Sequence, residues 1–205
     1  MNQLKILNPF GPKIARLKFP ELIIKKINLE VDRIIKQKKL IKKYDYSRNL
    51  VGQVNQEMQL PSIFIKKNIY KFISSTIKKF VKVSTGKLTR EVKILNFWIV
   101  RQYAHEYNPV HYHDGHISGV GYLKLPKQLN KDKKKLKTNG SIDFINGSKM
   151  FLSNSVFNHN PKIGDMILFP NYLMHTAYPF SVDGERRSFS FNVEIDHNIA
   201  NVFKK

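Results

Sequence analysis

From Pro20 onward, apolar side chains recur at three- and four-residue steps: Ile23, Ile24, Ile27, Val31, Ile34, Ile35 and Ile41, with lysines filling most of the surface between them. That period predicts an amphipathic helix. Pro20 suits its start, where a missing N–H costs nothing. A second stripe, Ile69, Phe72, Ile73, Ile77, Phe80 and Val81, predicts a helix after Asn68 that ends near Gly86. Both stripes are aliphatic and of ordinary width, which suits packing on a sheet better than lying on a membrane surface. Residues 44–66 are mixed and polar and give no assignment.

After Lys87 the period shortens. Strand-like runs appear at 93–104, 117–125, 141–145, 150–157, 166–169, 173–178 and 186–195. Turn-forming pairs separate them, among them Asn108-Pro109, Asp114-Gly115, Asn139-Gly140, Asn146-Gly147, Gly164-Asp165 and Asp183-Gly184. Many short strands at regular spacing predict an antiparallel sandwich or jelly roll. The lysine-rich run Lys131–Lys137 reads as a solvated loop between strands.

Composition narrows the classes. A chain of 205 residues with 41% apolar positions is long enough for a real core, despite a net charge of +21. No apolar run reaches 18 residues, which argues against a membrane-spanning helix. The N-terminal Met1-Asn2-Gln3-Leu4-Lys5 has no apolar signal core, so a cytoplasmic location is expected, in a host cell if the gene is phage-borne. The absence of cysteine excludes a disulfide scaffold, thiolate zinc sites and a cysteine nucleophile. Residues 1–92 hold 21 Lys/Arg against 6 Asp/Glu, and residues 93–205 hold 15 against 9. Such a surface could attract phosphates. However, 29 of the 36 basic residues are lysine, so compositional bias is favoured over a nucleic-acid partner.

The histidines are more informative. His111 and His113 lie two apart after Pro109, so on a strand both imidazoles face one way. His175 sits in a distant strand-like stretch, Leu173-Met174-His175-Thr176-Ala177-Tyr178. Two ligands from one strand and a third from an adjacent one can make one face of an octahedron, with three positions left for substrate and oxygen. Downstream, Arg186, Ser188, Ser190 and Asn192 share one strand face, and Arg187, Phe189 and Phe191 the other. The polar face fits either solvent or a cavity that holds a carboxylate.

Residues 96–194 resemble the 2-oxoglutarate- and iron(II)-dependent oxygenases, in a bacterial and phage branch with a His-x-His turn. The matching stretches, in order, are Trp98, Pro109-Val110-His111-Tyr112-His113, Ser118-Gly119-Val120-Gly121-Tyr122-Leu123-Lys124-Leu125-Pro126, Pro161–Asp165, Leu168-Phe169-Pro170, His175 and Arg186–Asn192. The resemblance implies an α+β chain: an all-β double-stranded β-helix (a cupin-like jelly roll) over residues 91–197, an N-terminal helical extension at 1–90 packed on the barrel, and a tail at 198–205. It implies His111 and His175 as metal ligands, Arg186 pairing the distal carboxylate of 2-oxoglutarate with help from Ser188, and Tyr122 reaching the same carboxylate. Most of the superfamily has a carboxylate where this chain has His113. The closer branch shows histidine there, so His113 is carried over as third ligand and Asp114 stands as the alternative. Three neutral imidazoles would leave the ion its +2 charge until the dianionic co-substrate binds. His105 stands where the branch usually has glycine.

The implied activity is hydroxylation of an unactivated C–H bond with release of succinate and CO₂. Iron(II), 2-oxoglutarate and O₂ are the implied cofactors, and ascorbate is admitted as an accessory reductant. A protein side chain such as proline is the first-choice substrate, and a small molecule the next. A nucleic-acid demethylase ranks lower, because Asn192 stands where that branch carries a second arginine. The rival classes are a non-catalytic cupin-type metal- or ligand-binding jelly roll and a basic nucleic-acid-associated protein.

Overall fold

The computed structural model describes residues 4–7, 11–127, 129 and 138–201. Its strands are β1 (Lys5–Leu7), β2 (Ile14–Lys18), β3 (Gln56–Gln59), β4 (Val92–Gln102), β5 (Asn108–His111), β6 (Ile117–Lys124), β7 (Ile142–Ile145), β8 (Val156–His159), β9 (Asp165–Pro170), β10 (Met174–Ala177) and β11 (Arg186–Ile195). The α-helices are α1 (Glu21–Ile35), α2 (Lys38–Tyr44), α3 (Ser62–Asn68), α4 (Tyr70–Thr85) and α5 (His197–Ala200). Among the described residues no helix is long and apolar enough to cross a membrane. Lys131–Lys137 lie outside the described residues.

Two antiparallel sheets form the core. The larger runs β1-β2-β9-β6-β11-β4-β3 and the smaller β5-β10-β7-β8. Consecutive strands from β4 to β11 alternate between the sheets except where β7 and β8 form a hairpin. This is the double-stranded β-helix, in which strands far apart in sequence become neighbours. β11 lies between β4 and β6 and is paired along its length.

The helices cover the outer face of the large sheet. On α1 the buried stripe is Ile24, Ile27, Val31 and Ile34; on α4 it is Ile73, Thr76, Ile77, Phe80 and Val81. These stripes join Phe97, Phe189 and Phe191 in one core, whereas Tyr122, Phe144, Phe169 and their neighbours fill a smaller core between the sheets. The predicted first helix is interrupted at Gln37, and Pro20 takes the cap position before it. α4 stops as expected: Gly86 adopts φ 75°, and its N–H bonds to the Lys82 carbonyl.

The alternation read along 186–192 is the hinge of the architecture. Phe189 and Phe191 point to the helices, stacked on Phe97 at 5.2 and 6.2 Å. Gly121 and Gly119, their partners on β6, leave the necessary room. A Cβ on Gly121 would lie 2.2 Å from Phe189 Cζ, and one on Gly119 2.3 Å from Phe191 Cζ. Arg187 faces the same way and ties β11 to α1, donating to Asp32 (2.8 Å), Asn28 Oδ1 (3.0 Å) and Glu185 (2.9 Å).

The strand-like run at 150–157 forms a strand only over its last residues; 150–153 make a turn in which Leu152 has φ 61°. The N-terminal ninety residues, expected as a helical extension, also supply β1, β2 and β3 to the large sheet. β1 and β3 are too short to show an alternation, β3 being the largely polar run Gln-Glu-Met-Gln, and β2 alternates only over Ala15–Lys18. Within the expected C-terminal tail, 198–205, residues 198–200 complete α5 and 202–205 lie outside the described residues.

Candidate metal centre and co-substrate pocket

His175 on β10 pairs directly across the ladder with His111 on β5. Such a pair brings Cβ atoms to about 5 Å, which is how positions sixty-four apart in the chain meet. His113 lies beyond the end of β5, where the expected strand has stopped. It is held instead by the turn before β10: its N–H donates to the Asn171 carbonyl (3.0 Å), and its carbonyl accepts from Asn171 Nδ2 (3.1 Å). The three ring centroids lie 4.3–4.9 Å apart. One nitrogen from each of His111, His113 and His175 falls within 4.8 Å of the others. Asp114, the alternative third ligand, is exposed at the cavity rim and is not part of this cluster.

Tautomers follow from the partners. His111 Nδ1–H donates to the Pro109 carbonyl (2.7 Å) and His175 Nδ1–H to the Leu173 carbonyl (2.9 Å), so each presents an unprotonated Nε2. His113 Nε2 stands 3.1 Å from His175 Nε2. Two nitrogens at right angles about one ion, with bonds of about 2.1 Å, would be about 3.0 Å apart. Burial pushes all three imidazoles below the usual histidine range, His113 to about 3, with neighbouring rings adding to the effect at His113 and His175. They are therefore neutral near pH 7, the form a metal requires. Trp98 lies edge-on to His113 at 5.6 Å, and Phe169 edge-on to His175 at 4.8 Å, so the rings are held in an apolar collar. The set fits a divalent transition metal.

The cavity beside this cluster has a volume of about 190 Å³, and Arg186, Ser188, Ser190 and Asn192 line one wall. The polar face of β11 therefore lines a cavity and does not face solvent. Arg186 is 2% exposed. Its Nη1 donates to Gln102 Oε1 at 2.6 Å, its guanidinium lies 5.3 Å from the centre of the Tyr122 ring, and its Nε has no partner. No carboxylate acts on it, and burial pulls its pKa below the usual arginine range. The Tyr122 hydroxyl is buried and interacts with the guanidinium, without a hydrogen bond of full geometry. A buried guanidinium with unused donors and no counter-ion is costly unless an anion completes it. The donor set fits the distal carboxylate of 2-oxoglutarate.

Sequence reasoning missed Gln102 and Glu57 and did not assign a partner to Asn192. Gln102, two residues beyond Val100 on β4, buttresses Arg186 and is itself fixed through Nε2 by the Glu106 and Tyr178 carbonyls. Asn192 accepts from Ser118 Oγ at 2.8 Å, which is a use for the residue found where another branch has arginine. Glu57, from the unassigned 44–66 stretch, lines the same cavity and is 1% exposed. Burial, and then the charges of Asp45 and Glu106, raise its carboxyl to about 7. For Gln102 the alternation along β4 was a usable signal; for Glu57 no signal existed. His105 adopts φ 69°, which accounts for the glycine usual at that position.

A double-stranded β-helix with a neutral three-nitrogen cluster at its mouth and an unpaired cation deep in its cavity defines the class of non-haem, metal-dependent jelly-roll oxygenases. The sequence itself agrees: residues 96–192 match the family described as "Putative 2OG-Fe(II) oxygenase". That stretch is similar to the 2-oxoglutarate- and iron(II)-dependent oxygenases, and with the fold it supports an oxidoreductase of the dioxygenase type that uses Fe(II), 2-oxoglutarate and O₂.

Among solved structures it is similar to a prolyl-4-hydroxylase from Pseudomonas putida (11% identity, 87% of this chain and 91% of that one, TM-score 0.60). A viral collagen prolyl hydroxylase from Paramecium bursaria Chlorella virus-1, solved with 2-oxoglutarate, is also similar (16% identity, 88% and 94%, TM-score 0.54). So is a prolyl hydroxylase from Trichoplax adhaerens in complex with a hypoxia-inducible-factor peptide (12% identity, 100% and 89%, TM-score 0.55). No curated protein matches the chain in sequence.

Proposed function

We propose that this chain hydroxylates an unactivated C–H bond of a protein side chain, with a small molecule as the second choice, and releases succinate and CO₂. The observation that carries the reading is the pairing of the His111–His113–His175 cluster with the orphaned Arg186 in one small cavity. His111, His113 and His175 would hold the iron, and Arg186, Tyr122 and Ser188 the distal carboxylate of 2-oxoglutarate. Bound there, iron with 2-oxoglutarate and dioxygen supplies the oxidising power for the insertion of one oxygen atom into the substrate.

The protein's own contribution is positional. Pro109 and Leu173 carbonyls lock the two Nδ1–H tautomers, and Gln102 fixes the guanidinium. Trp98 and Phe169 narrow water access around the imidazoles. Because the triad carries no charge, an iron held by it would keep its positive charge, and a co-substrate dianion would be drawn both to the His111–His113–His175 end and to Arg186. Protein substrates are favoured by the similarity to prolyl hydroxylases, one of them solved with a bound peptide.

The test is succinate production from 2-oxoglutarate under aerobic conditions with Fe(II), together with Mn(II) binding under argon. The reading requires wild-type turnover, and loss of both turnover and Mn(II) binding in His175→Ala. Retention of tight Mn(II) binding by His175→Ala would overturn the assignment, and a wild type that binds metal but never consumes 2-oxoglutarate would favour the non-catalytic cupin-type alternative.

A further inference from the structure

Glu57 is unlike any other acid in the described chain. It is 1% exposed, and neither carboxylate oxygen has a hydrogen-bond partner. The charges acting on it are the negative ones of Asp45 and Glu106, so the protein's abundant lysines do nothing to compensate it. Buried carboxylates in this state are strongly disfavoured unless something supplies donors. Its setting says where that something sits. Glu57 pairs with Val100 on β4, Val100 with Ser188 on β11, and Ser188 with Tyr122 on β6. These four therefore share one face and one row across the sheet. With strands about 4.8 Å apart, the Glu57 backbone stands about 10 Å from Ser188 and about 14 Å from Tyr122. The acid is thus in the same cavity as Arg186 and Ser188 but at its other side, which the hydroxylase reading makes the substrate side.

A second buried acceptor, Asn108 Oδ1, is also unpartnered. Both acceptors flank Gly52: a Cβ there would lie 2.7 Å from Asn108 Oδ1, 3.0 Å from Glu57 Oε1 and 3.1 Å from Oε2. The bare Cα of Gly52 thereby lets three oxygen acceptors converge where a side chain would not fit. Turning the Asn108 amide would give Glu57 one donor for a group with two oxygens. The arrangement mirrors the Arg186 end of the cavity, where donors lack an acceptor. One ligand with a carboxylate explains that end; this end needs a ligand that brings N–H donors and positive charge.

We infer that Glu57, with Asn108 beside it, is the specificity site for a protonated nitrogen, a guanidinium or primary ammonium, on the substrate. The inference deepens the hydroxylase reading, on which it rests only for calling this end of the cavity the substrate side. A cation there would meet a charge-assisted pair of acceptors in a water-poor setting, where such bonds are stronger than at a surface.

The test is isothermal titration of the full chain at pH 8 with Nα-acetyl-arginine amide and Nα-acetyl-lysine amide, against the neutral isosteres Nα-acetyl-citrulline amide and Nα-acetyl-norleucine amide. Blocked termini leave Arg186 no carboxylate to hold. The wild type should bind at least one cationic probe about ten- to a hundredfold more tightly than its isostere. Glu57→Gln, which removes charge without volume, should erase that preference. Gly52→Ala, whose methyl would push Asn108 Oδ1 and the Glu57 carboxylate aside while keeping the charge, should weaken it. A Gly-Gly-Arg-Gly-Gly peptide, run beside the blocked arginine, distinguishes a cation delivered on a chain from one on a small molecule. Equal affinity for cation and isostere in the wild type, or an undiminished preference in Glu57→Gln, would overturn the inference. Failure of the oxygenase reading would appear elsewhere, as absent Mn(II)-dependent binding of 2-oxoglutarate.

Discussion

Replacing Glu57 by glutamine should make the metal-free protein more stable, and increasingly so as pH rises. In the folded protein the Glu57 carboxyl is raised from 4.5 to about 7 by burial and by Asp45 and Glu106. Below pH 4.5 it is protonated in the folded and unfolded chains alike, and it adds no pH dependence. Between pH 4.5 and 7 the unfolded chain releases a proton that the folded chain keeps, so stability falls with rising pH. Above 7 both states are ionised, and the loss stays constant. At about 1.36 kcal/mol per pH unit, the loss between these limits is about 3 kcal/mol, a large share of a typical stability of about 5–15 kcal/mol.

Glutamine cannot ionise and fills the same space. The assay is urea unfolding of both proteins in EDTA from pH 4.5 to 8, read as the difference between the two profiles, so that the buried imidazoles common to both cancel. The difference should grow by about 3 kcal/mol across the range, equivalent to roughly 6–12 °C in melting temperature. A difference that stays flat within about 1 kcal/mol would refute the claim that Glu57 is buried without donors.

Other outcomes follow from the same coordinates. Arg186→Ala should raise the 2-oxoglutarate concentration needed for half-maximal turnover by about tenfold or more, with Mn(II) affinity changed far less; equal losses in both would count against Arg186 as the co-substrate anchor. Gly121→Ala should destabilise by about 2–3 kcal/mol, because its Cβ would fall 2.2 Å from Phe189 Cζ; an unchanged denaturation midpoint would show that the ring moves freely. His105→Gly should stabilise by about 1 kcal/mol, since His105 holds φ 69°, and a lower midpoint would refute that account. Arg187→Met should lower stability by releasing α1 from β11 while leaving the metal affinity of the folded protein intact, measured by Mn(II) titration below the unfolding transition.

Much of the fold was legible because the signals were local or periodic. The stripes at Ile24–Ile34 and Ile73–Val81 marked the two covering helices, and strands β4, β6, β7, β9, β10 and β11 match their runs to within a few residues. What stayed hidden was non-local. β3 is four residues, three of them polar, whose strand character comes from pairing with β4 between Trp98 and Arg101. β1 and β2 extend the sheet beyond β9 although nothing in Lys5–Leu7 or Ile14–Lys18 names that partner. At the centre the spacing of His111 and His113 suggested convergence, but its means differ. A strand brings His111 to His175, and a turn held by Asn171 brings His113. Glu57 could not be read at all, since one acid in a polar stretch looks like surface until the sheet buries it.

The alternation along β11 explains why this cavity can hold unpaired charge at both ends without collapsing. One face of the strand, Phe189 and Phe191, is locked against Phe97 and the glycines of β6, with the helical core behind it. The other face, Arg186, Ser188 and Asn192, is presented inward by those same residues. Rotating Arg186 toward solvent would require withdrawing Phe189 from a packed core, at a cost of several kcal/mol. The packed aromatic layer therefore opposes any such turn, although water would offer partners to the unused guanidinium donors. The same opposition holds for Glu57, whose strand neighbour Met58 points into that core. The large apolar layer thus keeps the polar layer open, and the unpaired groups stay facing the space where ligands must come.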